Sequence, residues 1–175
     1  MNKTNHVDEL IYQAIFRFNE NTEKIEKCLR ELNAEEIWKR PNKSSNSVGN
    51  LLLHLCGNIT QYIISSLGEK EDKRNRDFEF TADGGYKKFT LFEKLRTTIQ
   101  QAIEVLKDQS DKDLLKIRSV QGFNLSGTGI IIHVVEHYSY HTGQIVFWTK
   151  FLKDKDLGFY AGIDLDKKNE PLILK

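Results

Sequence analysis

Apolar residues recur along the start of the chain at Val7, Leu10, Ile11, Ala14, Ile15, Phe18, Ile25, Leu29 and Leu32. The steps are mostly three, four or seven, which lines one face of an α-helix and does not fit the alternation of a strand. This spacing predicts a helix over about residues 5–32. The segment Arg40-Pro41-Asn42-Lys43-Ser44-Ser45-Asn46-Ser47 then breaks the period, and a hydroxyl of Ser45 or Ser47 can accept from the free amides that open the next helix. That second helix is predicted over 47–67, and the charged stretch from Gly68 to Asp77 is expected to be a solvated connection, with Arg74 and Arg76 as candidates for a substrate mouth. Asp83-Gly84-Gly85 marks a turn, after which Phe89, Phe92, Leu95, Ile99, Ala102, Ile103 and Leu106 predict a third helix over 86–108. Residues 110–129, with Gly122, Gly127 and Gly129, read as loop with at most a short extended piece, and a fourth helix is predicted over 128–152. The tail beyond it carries Gly158, Gly162 and Pro171 and is expected to be irregular, with Phe159 and Tyr160 covering one end of the core. Four long helical patterns without a convincing sheet predict an all-α, single-domain four-helix bundle over 1–175.

Composition narrows the function more than the fold. Hydrophobic residues at 39% and charged residues at 29% describe an ordinary globular protein, whose apolar runs fall far short of the ~18 residues of a membrane span. The N-terminus lacks the apolar stretch of an export signal, so the cytoplasm is the expected location. A net charge of +1, with no long single-signed block, argues against nucleic acid as a partner. Cys28 and Cys56 each fall inside an apolar helical pattern, which predicts buried structural thiols and not a disulfide framework or a thiolate metal site.

The chemistry concentrates on two helices. His133, Glu136, His137, Tyr140, His141 and Gln144 share one face of the otherwise apolar fourth helix and include three of the five histidines. Histidines one turn apart can present two nitrogens to one ion, but three histidines at successive i,i+4 steps span about 12 Å of rise, so one ion takes either His133 with His137 or His137 with His141. An isolated pair of this kind is a weak signal. On the second helix Ser47, Asn50, His54, Asn58 and Gln61 form a thin polar stripe among leucines and isoleucines. If the two stripes met inside the bundle, their polar groups would need partners, and a metal with its waters would supply them. His6, near the terminus, is expected to face solvent.

Ser47-Val48-Gly49-Asn50-Leu51-Leu52-Leu53-His54-Leu55, followed much later by His133-Val134-Val135-Glu136-His137-Tyr138-Ser139-Tyr140-His141-Thr142-Gly143-Gln144-Ile145, resembles the DinB/YfiT-like superfamily of metal-dependent enzymes. The resemblance covers most of the chain, with the tail after Leu152 least constrained by it. It implies a bundle with up-down-down-up connectivity and a divalent transition metal, usually nickel or zinc, held by three histidines. By position it implies His54, His137 and His141 as ligands and leaves His133 as a pocket residue beside them. Asn50, Asn58, Gln61, Glu136 and Gln144 are candidates to orient the histidines or line the pocket. Thr142 stands where the family commonly has an arginine, which removes whatever that arginine does. Three protein ligands leave coordination positions open, as a catalytic metal requires. The expected function is therefore a metal-dependent enzyme acting on a small molecule, either a hydrolase or, on the resemblance alone, an S-transferase using a low-molecular-weight thiol. The alternatives are a non-catalytic metal- or small-molecule-binding bundle and a structural bundle whose histidines are incidental. The resemblance also implies a homodimer.

Overall fold

The computed structural model describes residues 5–170. Asn5 accepts from the Asp8 amide and opens α1 (His6–Glu31), whose buried face runs Val7, Ile11, Ala14, Phe18, Ile25 and Leu29. A short α2 (Ala34–Trp38) follows, opened by a reciprocal cap between Asn33 and Glu36. Ser47 and Asn50 form the same device at the start of α3 (Val48–Ile59), which continues without a break as a π-helical segment over Thr60–Leu67. Then come α4 (Arg76–Thr81), α5 (Lys88–Lys107), α6 (Asp111–Leu115), an antiparallel hairpin of β1 (Ile117–Val120) and β2 (Phe123–Ser126), and α7 (Gly127–Lys153).

The core lies among α1, α3, α5 and α7, with each contributing fully buried aliphatic or aromatic side chains. Each such side chain removed from water contributes about 1.5–3 kcal/mol. Helix α7 packs on α1 and α3, and α5 packs on both as well. Contacts give direction to two of these pairs. Phe18 meets Tyr138 while Glu31 meets Lys155, so α1 and α7 run the same way. His54 meets His141 while Tyr62 meets His133, so α3 and α7 run in opposite directions. Among the described residues, no helix is long and apolar enough to cross a membrane.

The four long helices stand where their periodicity predicts, and the chain between them holds more structure than expected. Residues 110–129 are not a loop but α6 and a hairpin of complete register from Ile117 opposite Ser126 to Val120 opposite Phe123. The second helix is not α-helical throughout, because beyond Ile59 the amides of Gly68 and Lys70 reach back five residues to Ile63 and Ser65. The connection from Gly68 is not wholly solvated, since it feeds α4 and carries the Arg74 side chain into the interior. In the tail, Phe159 packs against the core, whereas Tyr160 is largely exposed and lies over Lys24. Pro171 lies outside the described residues.

Candidate metal centre

Antiparallel packing of α3 on α7 brings His54 against His137 and His141. The Nε2 atom of His137 lies 3.1 Å from Nε2 of His54 and 3.2 Å from Nε2 of His141. The ring nitrogens that the three residues offer all lie within 4.8 Å of one another. Nitrogens around a tetrahedral ion at about 2.0–2.1 Å stand roughly 3.3 Å apart, so the two short separations fit a common ion. His54 and His141 are buried and His137 is half-buried.

The partners of the outer nitrogens decide where the protons sit. Nδ1 of His54 lies 2.9 Å from Oε2 of Glu79 and 3.1 Å from Nη2 of Arg74. A bare nitrogen facing a carboxylate would be repelled, so Nδ1 carries the proton and donates to Glu79, and the nearby Nη2 of Arg74, itself only a donor, bonds the same carboxylate and not the ring. Nδ1 of His141 donates to Oε1 of Gln144 at 2.7 Å. In the neutral rings both Nε2 atoms are then bare and face Nε2 of His137, which has one proton at most and can satisfy only one of them. Three converging nitrogens with too few protons are an arrangement that a cation completes, and the donor set fits a divalent transition metal.

Burial pushes the His137 ring down to about 3, reinforced by His141, His54, His133 and Arg74. Burial also lowers His141, against the opposing hydrogen bond to Gln144, and lowers His133, against the charge of Glu136. These rings therefore keep their lone pairs free at neutral pH.

Behind His54 stands an ion pair placed by α4. Arg74 donates from Nε to Oε1 of Glu79 at 2.7 Å and from Nη2 to Oε2 at 2.8 Å, and its Nη1 donates to Oε1 of Gln61 at 2.8 Å. The side chains of Arg74 and Glu79 are 3% and 6% exposed, so little water screens the pair. Burial alone would raise the Glu79 carboxyl, but hydrogen bonds from Arg74 and His54 and the charge of Arg74 outweigh it and hold the group below the usual carboxylate range. Gly57 makes room for this carboxylate, because a Cβ there would stand 2.6 Å from its Cδ. Phe80 covers the His54 ring with centroids 4.8 Å apart.

The remaining candidates divide by what they touch. Gln144 reaches His141 directly, and Gln61 reaches the histidines only through Arg74. Asn50 touches no histidine; its amide donates to the carbonyls of Glu79 and Ala82 and ties α3 to the end of α4. Asn58 is buried with its Oδ1 unpartnered, as is Nδ1 of His137. His133 stacks between Tyr62 and His137, with centroids 4.4 and 5.6 Å away. Glu136 is exposed and meets the cluster through its charge alone. Arg76 packs over Phe80, and Arg74 is a buried clamp, so the sequence reading of Arg74 as an exposed substrate-mouth residue is corrected. Glu79 was not anticipated. Its signal was a carboxylate between two aromatics, Phe78-Glu79-Phe80, where a charge is expected to need a buried partner.

Comparison with known proteins agrees with this architecture. A crystal structure of a conserved protein from Enterococcus faecalis superposes with a TM-score of 0.71 at 15% identity, covering 89% of this chain and 99% of that one. A DinB-like protein from Bacillus cereus gives 0.61 at 19% identity over 79% and 90% of the two chains, and one from Bacillus subtilis gives 0.63 at 13% over 82% and 94%. No curated protein matches the chain at a significant level. The model of a family described as protein of unknown function, DUF1572, matches residues 5–161. The chain thus belongs to the DUF1572 family and is built on the DinB-like fold.

Proposed function

We propose that the protein is a metal-dependent enzyme of small-molecule chemistry, with a divalent nickel or zinc ion held by His54, His137 and His141. The observation that supports this is the convergence of three Nε2 atoms, two of them left bare because the opposite ring nitrogens donate to Glu79 and Gln144. When bound, the ion supplies Lewis acidity with its charge undiminished, since neutral imidazoles neutralise none of it. Glu79 holds the His54 ring in the ligating tautomer, and Arg74 holds Glu79. Phe80 shields the same ring from water. Both cysteines are buried, and burial pushes each thiol up to about 11. Neither is an available nucleophile, so thiol transfer at this site calls for a low-molecular-weight thiol, and hydrolysis calls for water.

The test is metal content of the purified protein by mass spectrometry beside that of His54→Ala. The expected result is about one ion per chain in the wild type. The variant should lose the ion while keeping its helical circular dichroism. Absence of bound metal in the wild type, even after incubation with zinc and nickel, would refute the proposal.

A further inference from the structure

The groove between α3 and α7 does not end at the histidines. One turn beyond His141 it opens into a cleft of 620 Å³ between α7 and the 41–46 loop. That volume is typical of sites for small molecules. The cleft is joined to the candidate centre by two residues of its wall. Gln144 accepts from Nδ1 of His141 at 2.7 Å, and the Tyr140 ring stands edge-on to His141 with centroids 5.0 Å apart.

Its lining is chemically unusual for this chain. Twelve residues form it and none is charged, although 29% of the chain is. Four other clefts among the described residues each carry at least two charged side chains. Lys43, the one charged residue of the 41–46 loop, is absent from the lining. One wall is aromatic, with Tyr140 and Phe147 exposed and the Trp148 indole anchored by its N–H on the Lys39 carbonyl and stacked on Phe151. The facing wall offers hydroxyls and amides from Asn42, Ser44, Ser45 and Asn46. Among the described residues, no hydrogen bond engages the side chain of Asn46 or the hydroxyl of Ser44.

A charged ligand entering such a cleft loses hydration and finds no counter-charge, whereas a neutral ring keeps its polar edges bonded and places its flat face on the aromatics. We infer that this cleft is the substrate-recognition site and that it takes an uncharged, ring-bearing molecule with hydroxyl or amide groups on its edge, discriminating against carboxylated and phosphorylated compounds. The inference rests on the proposed function for its link to catalysis, but binding in the cleft requires none of the three histidines.

Equilibrium dialysis with two absorbing probes, para-nitrophenyl glucoside and para-nitrophenyl phosphate, tests it. The measurement is made on the wild type, on His54→Ala to remove direct ligation of the phosphate, and on Phe147→Ala, whose side chain is 69% exposed and not needed by the core. In His54→Ala the glucoside should bind saturably and the phosphate at least about tenfold more weakly. Phe147→Ala should weaken the glucoside by several-fold to about tenfold. No saturable glucoside binding, a phosphate bound as well as the glucoside in His54→Ala, or an unchanged glucoside affinity in Phe147→Ala would each overturn the assignment. A wild type without metal that still shows the expected pattern sinks the enzyme proposal and leaves the cleft standing; metal without the pattern does the reverse.

Discussion

Replacing Glu79 by glutamine keeps the shape of the side chain and removes its charge, which isolates the contribution of the carboxylate to the histidine cluster. Three N–H groups converge on its two oxygens, two from Arg74 and one from His54. An amide has only one oxygen, so either orientation of the substituted side chain sets an NH2 against a donor. Placed toward Oε1 it opposes the Arg74 Nε–H, and placed toward Oε2 it opposes both Nη2 of Arg74 and Nδ1 of His54. In the second orientation the imidazole is relieved by moving its proton to Nε2, where it points into the cluster and blocks ligation. Loss of an outer partner of this kind lowers metal affinity about 10- to 100-fold, or roughly 1.4–2.7 kcal/mol. The fold is weakened too, because breaking a buried pair by altering one partner costs about 3–5 kcal/mol. The lower end is expected, since Gln61 keeps one bond to the guanidinium. Titration calorimetry with zinc and nickel gives the affinity, and urea denaturation of the metal-free protein gives the stability. Wild-type affinity in a folded Glu79→Gln variant would show that the carboxylate does not set the tautomer of His54.

Gly57→Ala should lower metal affinity in the same direction, because its Cβ would displace a carboxylate held on the other side by Arg74 and His54. Helix propensity alone favours alanine by about 1 kcal/mol, so a variant that gains stability while binding metal as before would contradict the close packing. Acid should destabilise the metal-free protein well above the carboxylate range. His137 is held down near 3 by burial and neighbouring rings, and His141 and His133 are lowered in the same direction, whereas unfolded histidine binds a proton near 6.5. The unfolded state thus takes up protons first, so stability is full above about pH 6.5 and falls as pH drops toward 3. The urea midpoint should decline between pH 7.5 and 5.5 and decline less in His137→Leu; equal midpoints at the two pH values would refute the assignment of neutral rings.

Helices α1, α3, α5 and α7 were legible because each buries a stripe long enough to repeat the helical period several times. The five- and six-residue helices α2, α4 and α6 complete little more than one turn and leave no period to read. Their caps were nevertheless written in the chain, in Asn33 with Glu36 and Ser110 with Asp113. The π-helical segment escaped because Tyr62, Ile63, Ile64, Ser65 and Leu67 are apolar or small enough to suit either geometry, and all are buried. The histidine pairing on α7 followed from spacing, but choosing among its pairs needed the resemblance, since His133 and His141 are symmetric about His137. Arg74 and Glu79 each leave a local trace, in the charged run and in Phe78-Glu79-Phe80, but their partnership with His54 forms across a tertiary contact that neither trace names. Glu136 shares the helical face of the histidines, and its exposed carboxylate reaches them by charge and, among the described residues, by no hydrogen bond.

The crossover from α3 to α5 carries both Arg74 and Glu79, so the segment that closes the chain topology also grips a histidine of the cluster. Displacement of Glu79 therefore acts on His54, and by reciprocity an occupant of the imidazoles that depends on this hydrogen bond favours the seated carboxylate.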